Sequence, residues 1–349
     1  MKTVTATAAL KSKKLYRHIT TQLLKSSEPS IRWKTRANVL REDISSPSMN
    51  ALQEEIRESP RVKAMLKNFD STGNLPIGKN VYEKWQGAHW VLASLADIGY
   101  PARDLSIMPI VSQVMDFWLS DTYFSEFTCE TKEKSYQRKG VPIMRGRYRR
   151  CAAQQGNALF IAMKLGSDDS KAERLVERLL RWQWPDGGWN CDRNPEASHS
   201  SFMETLIPLR GLSLYALRTN EPNVLKAVRS AAEVLLKRHL YKRVSSGKII
   251  HDDFTSLHYP LYWHYDILGG LKVIAEAGLI TDVRCDDALD LLESKSLPHG
   301  GWAAEKRFYT VSDELKLGAD YVSWGKTGKR SFNEWVTVDA LYVLQKAKR

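Results

Sequence analysis

The sequence predicts an all-α chain, a single α/α toroid (barrel) of five to six helical hairpins, on three observations. Strand-type alternation is scarce, whereas apolar positions recur with the helical period along most of the chain. From residue 84 onward, segments that are apolar nearly all round alternate with charged, amphipathic ones, the pattern of an inner and an outer ring. A tight turn also recurs. Trp182–Asp192, WQWPDGGWNCD, places three Trp within eight residues around a Pro-Asp-Gly-Gly turn, and Leu297-Pro298-His299-Gly300-Gly301-Trp302 repeats it 113 residues later. Repetition of one supersecondary unit is the signature of stacked helical hairpins.

Taken in order, Ile31–Arg41 and Met49–Lys67 supply the first hairpin, and residues 1–80 complete the ring. The apolar inner segments are Gly87–Gly99, Cys151–Gly166, Phe202–Leu217, Tyr262–Gly278 and Val336–Ala347. The amphipathic outer ones are Leu105–Leu119, Ser170–Arg181, Pro222–Leu240 and Asp282–Lys295. Gly and Pro punctuate the junctions, as at Gly99-Tyr100-Pro101 and Gly278. Residues 121–149 and 244–260 are expected as long irregular loops near the cavity, a length that usually carries function. No linker composition divides the chain, so 1–349 is expected to be one domain.

The run Gln183-x3-Gly187-x-Trp189 resembles the Gln-Trp repeat of squalene/hopene-type triterpene cyclases, shared more loosely with protein prenyltransferase β subunits; the second copy lacks the Gln. The resemblance spans residues 80–349 as a pattern of hairpins and implies the toroid. It also implies an enzyme acting on a lipophilic isoprenoid in an aromatic cavity by acid–base and carbocation chemistry. The Asp-Xaa-Asp-Asp motif that protonates substrate in those cyclases is absent, and Asp252-Asp253 and Asp286-Asp287 are its nearest fragments. The family's proton donor is therefore not carried over.

Composition narrows the partners. The chain carries a net charge of +12, and residues 1–150 hold 25 Lys/Arg against 15 Asp/Glu. The basic clusters Lys11–Arg41 and Lys132–Arg150 would suit phosphates or nucleic acid, but no nucleic-acid motif accompanies them, so a nucleic-acid-binding module ranks last. The four cysteines are widely spaced without a Cys-x2-Cys pair, which fits a reducing cytoplasm. No run approaches the roughly 18 apolar residues of a membrane span.

The polar residues at the ends of the inner segments are the candidates for chemistry. The run His251–Asp266, HDDFTSLHYPLYWHYD, combines three His and three Asp with four Tyr/Trp. Such clusters are where perturbed pKa values and proton transfer are expected. His264 and Asp266 come first as catalytic candidates, then Asp252 and Glu204; a carboxyl in an apolar cavity would have a raised pKa and could act as acid or base. His89, Trp189, Trp263 and Tyr265 would shape the substrate pocket, where rings could stabilise a developing cation.

A metal is the competing chemistry. Cys191, Asp192, His199 and His258 offer ligands that Zn2+ takes, and the prenyltransferase resemblance implies a zinc held by Asp, Cys and His. Here Cys191 and Asp192 are adjacent and in reversed order. A zinc-dependent transferase is thus one alternative. A carbohydrate-active hydrolase or lyase, with a saccharide on stacked Trp and Tyr, is the other. Asp286-Asp287-Ala288-Leu289-Asp290 matches a diphosphate-binding pattern but falls on an outer helix, where surface carboxylates are the default.

Overall fold

The computed structural model describes residues 16–69 and 80–349, so the parts of the 1–80 segment and of the Lys11–Arg41 cluster at 1–15 and 70–79 lie outside the described residues. The described chain is mainly helical. Residues 16–24 (α1) precede α2 Pro29–Lys34 and a π-helical turn Thr35–Val39, then α3 Pro47–Arg57 and α4 Pro60–Leu66. There follow α5 Ala88–Ile98, α6 Met108–Leu119, α7 Asp121–Phe124, α8 Lys132–Tyr136, α9 Ala152–Leu165 and α10 Asp169–Trp182. The remainder are α11 Phe202–Thr219, α12 Pro222–Leu236, α13 Ile267–Glu276, α14 Asp286–Ser294 and α15 Glu334–Lys346.

Burial follows the alternation read from the sequence. In α9, Ala158, Leu159, Phe160, Ile161 and Ala162 are buried consecutively, so the helix is covered on every side. In α10 the buried residues are Ala172, Leu175, Val176, Leu179 and Trp182, one helical stripe. Helices of the first kind touch in sequence: α5 packs on α9, α9 on α11, α11 on α13 and α13 on α15. Helix α2 packs on both α15 and α5 and closes the circuit. The amphipathic helices lie against this circuit, α6 and α10 on α9, α12 on α11 and α14 on α13.

The closest of these contacts needs glycine. A Cβ on Gly156 of α9 would stand 2.6 Å from Pro208 N of α11, and one on Gly211 of α11 would stand 2.7 Å from Gly156 O. Two backbones approach there without side chains between them.

The recurring turn is the same structure twice. Trp189 Nε1 donates to Leu179 O at 3.0 Å, and its backbone N lies 3.3 Å from Thr205 Oγ1. Trp302 Nε1 likewise donates to Leu292 O at 2.8 Å, with its N 2.9 Å from Thr337 Oγ1. Each indole ties the end of an outer helix to the start of the next inner one. Gln183 adds a third tie by donating to both Gly187 O (2.7 Å) and Ala227 O (2.9 Å).

Three expectations are corrected. Met49–Lys67 is two helices, because Pro60 opens a new one capped by Ser59. The inner segment Tyr262–Gly278 turns helical only at Ile267, since Tyr262 sits at φ 47 and Asp266 is the cap. Residues 121–149 are not irregular: β1 Glu126–Thr128 pairs in parallel with β2 Val141–Met144, which pairs antiparallel with β3 Arg147–Tyr148. Strands this short show no readable alternation. A second pair, β4 Thr310–Val311 with β5 Ala319–Asp320, is parallel. Among the described residues, no helix is long and apolar enough to cross a membrane.

Candidate functional site

The first turns of three inner helices meet. Glu204, in the first turn of α11, accepts from Ala153 N at the start of α9 (3.1 Å) and from Trp263 Nε1 just before α13 (3.3 Å). Around this junction stand Tyr82, Trp85, His89, Trp118 and His264, in edge or tilted ring contact with one another. The N-terminal ends of α9, α11 and α13 therefore meet in one place, packed about by aromatic rings.

Deeper in the circuit is a cavity of about 70 Å3, whose walls include Trp90, Asn157, Arg210, His258, Tyr259 and Tyr262. Its floor is a buried charge cluster. Asp97 of α5 meets Lys34 of α2 (3.0 Å), Lys272 of α13 (2.9 Å), Arg210 of α11 (2.7 Å) and the Tyr259 hydroxyl (2.8 Å). Lys34 and Lys272 also pair with Asp339 of α15, each at 2.9 Å. Burial alone would raise the Asp97 carboxyl, but Lys272, Lys34 and Arg210 together hold it well below its ordinary range.

His258 and Asp266 form a buried pair on the cavity wall, each side chain about 1% exposed. Asp266 caps α13 by accepting from Gly269 N at 2.7 Å, and its other oxygen accepts from His258 N at 2.8 Å and lies 3.0 Å from the His258 ring at Nδ1. The opposite ring nitrogen, Nε2, is buried without a hydrogen-bond partner. Burial opposes a charge on His258, yet the Asp266 carboxylate outweighs it and raises the imidazole above its ordinary value. His264, stacked on Phe308 at 3.8 Å, has Nδ1 without a partner. Burial, then the charges of His258 and Lys84, push it down to about 4. The two rings stand 6.1 Å apart, centroid to centroid.

Of the catalytic candidates, Asp266 lines the cavity together with His258, and the His264 ring stands beside that of His258. Asp266 is committed to three hydrogen-bonding or ionic contacts and positions His258. Glu204 is buried where α9, α11 and α13 begin, and its pKa is raised, chiefly by desolvation. Asp252 is exposed at the start of a 3-10 turn and stands apart from this group.

The metal quartet is corrected: Asp192 and His199 are exposed on the loop after Trp189, and His258 lies on the cavity wall with Asp266, apart from Cys191. Cys191 instead lies with Cys151 and Glu204, their ligand atoms all within 4.8 Å of one another. Sequence spacing gave no signal for Cys151, forty residues before Cys191, because only the fold brings the start of α9 to the turn before α11.

None of the four predicted pocket residues lines the central cavity. His89 is buried behind it, accepting from Trp118 Nε1 at 3.0 Å and lying 3.4 Å from the Asn157 amide. Trp189 packs into the helical turn described above, and the Tyr265 hydroxyl is tied to Leu240 O at 2.6 Å. Trp263 belongs to the junction at Glu204. The residues missed were the ones from distant helices: Asp97, Lys272 and Asp339, each an isolated charge on an apolar segment, and Lys34, one charge among several in the basic cluster Lys11–Arg41.

Arg149 and Arg150 of the second basic cluster, and the carboxylates of the diphosphate-like motif, are used internally. Arg149 donates to the carbonyls of Ala197, Pro195 and Met144, and Arg150 to Gln154 and Gln155. Arg349 pairs with Asp286 and Asp290, and Lys242 with Asp287. No protein-family model and no curated protein matches this sequence.

Proposed function

We propose that the chain is an acid–base enzyme built on an α/α toroid, in which His258 and His264 move protons at the end of the cavity where the inner helices begin. The observation that carries this reading is the buried imidazole of His258, oriented by Asp266 through one nitrogen and left unpartnered at the other beside a cavity. A buried polar atom without a partner is costly unless something else meets it, and a substrate group can. The raised His258 suits a general acid and the lowered His264 a neutral base, and separation of two such values is how one site holds both roles. The closed contact circuit of α2, α5, α9, α11, α13 and α15 supports the toroid, and the resemblance in the Gln-Trp turn agrees with it.

The cavity favours a polar reacting group. Its volume of about 70 Å3 holds only the reacting end of a substrate, and Asp97, Arg210 and Lys272 line it beside the rings. A hydroxyl-bearing substrate of saccharide type fits that lining. A second reading, a lipophilic isoprenoid, is favoured by the stack of Trp85 on Tyr262 (4.3 Å) with Trp90 at its edge. The four free cysteines fit a reducing compartment such as the cytoplasm.

The test is a turnover screen with both substrate classes, on the wild type and on His258→Gln and His264→Gln, each checked for folding by circular dichroism. Turnover that falls by about 100- to 10,000-fold in both folded variants is expected. Turnover of neither class by the wild type, or activity retained by both variants, overturns the reading.

A further inference from the structure

We propose that Cys151, Cys191 and Glu204 form a binding site for a borderline-soft divalent cation, Zn2+ foremost, with a fourth coordination position not taken by the protein. The three ligands arrive from separate places: Cys151 immediately precedes α9, Cys191 follows Trp189 in the recurring turn, and Glu204 is in the first turn of α11. Their ligand atoms lie within 4.8 Å of one another, and Cys191 Sγ is 3.7 Å from Glu204 Oε1. Tetrahedral zinc with bonds of about 2.3 Å to sulfur and 2.0–2.2 Å to oxygen holds neighbouring ligand atoms about 3.5–3.8 Å apart. The Cys191–Glu204 separation is therefore already that of two coordinated atoms, and a small movement brings Cys151 to the same spacing.

Charge gives the independent argument. Arg150 precedes Cys151, donates to the Gln154 and Gln155 amides and lies over the Tyr123 and Trp118 rings. Among the described residues it makes no salt bridge within 4.0 Å to any carboxylate. Two thiolates and one carboxylate carry three negative charges, which one Arg and one divalent cation balance. Without a cation, the same pocket sets two thiols, poor hydrogen-bond donors, against a buried carboxylate. The N-terminal ends of α9 and α11 favour the anionic forms of these ligands.

The site also meets the two requirements beyond ligand count. One ligand is held in place from behind: Glu204 accepts hydrogen bonds from Ala153 N and Trp263 Nε1 at 3.1 and 3.3 Å. Access exists as well, because Cys151 and Cys191 are only half-buried. Tyr82, whose hydroxyl bonds to Gln154, stands near enough to feel charge on both Cys151 and Glu204. Three protein ligands with a fourth position free are the arrangement of zinc that acts on a ligand rather than one that only holds a fold.

The experiment is a titration of the reduced, chelator-stripped full chain with Co2+ alone, followed by displacement with Zn2+. One equivalent should bind, with thiolate-to-cobalt charge-transfer absorption in the near ultraviolet and intense tetrahedral bands in the visible. Cys151→Ser and Cys191→Ser should each weaken binding beyond the roughly 10- to 100-fold that outer-shell changes cost, and Glu204→Gln should reduce it at least about 10-fold. Cys129→Ser and Cys285→Ser should leave it unchanged. On the unaltered protein, Zn2+ should shield Cys151 and Cys191 from iodoacetamide while leaving the labelling of Cys129 unaltered, a readout that needs no variant to fold. Absence of stoichiometric uptake, uptake indifferent to both serine variants, or a Cys151–Cys191 disulfide that re-forms in place of metal binding overturns the proposal. Activity enters none of these measurements, so failure of the acid–base reading leaves this one standing, and the converse.

Discussion

Lys34 Nζ lies 3.0 Å from Asp97 Oδ2 and 2.9 Å from Asp339 Oδ1, so a single buried ammonium joins α2 to the helices on either side of it, α5 and α15. That ion pair sits where the contact circuit closes. Asp97 has three cationic partners and Lys34 has two anionic ones.

The asymmetry sets the first expectation. Asp97→Ala leaves Lys34 and Lys272 to share Asp339 and Arg210 with Glu276, one buried positive charge in excess, and should destabilise the fold by about 3–5 kcal/mol. Lys34→Met leaves Asp97 with Lys272 and Arg210 and should cost less. Denaturant unfolding of both variants checks the order; a larger loss for Lys34→Met would show that the closure of the circuit, not the shared carboxylate, dominates.

His89 predicts acid sensitivity. Burial pushes its pKa down to about 3, against about 6.5 in an unfolded chain. Between those values the unfolded state binds a proton that the folded state does not. Stability from this residue is thus present above about pH 6.5 and lost as pH falls toward 3, by up to ~1.4 kcal/mol per pH unit. In His89→Gln, the Trp118 indole keeps an acceptor and that slope should disappear. A wild-type minus variant difference that stays constant from pH 4 to 7 would contradict the assignment.

For His258 the sign is opposite. Its folded pKa is raised by Asp266, so its contribution is fully present below about pH 6.5 and declines as pH rises through the raised value. Asp266→Asn removes the carboxylate and leaves burial to dominate, so the imidazole should titrate below its ordinary value. Ring-proton NMR against pH reads this directly, and an unchanged midpoint would remove Asp266 as the positioning residue.

The recurring turn yields a fourth test. Gln183→Ala leaves Gly187 O and Ala227 O without their shared donor and should cost about 1–3 kcal/mol. Gly187→Ala should cost more, since Gly187 sits at φ 102 and an added Cβ would meet Ser230 O at 2.2 Å. Thermal unfolding of the two variants ranks them; equal midpoints with wild type would mean the turn is not a structural tie.

The sequence by itself determined the helical character, the division into buried and amphipathic helices, and the equivalence of the Trp189 and Trp302 turns, because these depend on periodicity and on local backbone chemistry. It also singled out His264, Asp266, Glu204 and Cys191, since polar groups beside aromatic rings at the ends of apolar helices stand out against their neighbours. It did not determine which of them act together. Cys151 joins Cys191 and Glu204, and Asp97 joins Lys34, Lys272 and Asp339, only because helices far apart in the chain begin and pack side by side. The same packing tied Tyr265 and Trp189 to backbone carbonyls and left Asp192 and His199 in solvent. Residue type and spacing follow the chain, whereas ligand sets, ion pairs and pKa shifts follow distance and burial, and those exist only once the helices have packed.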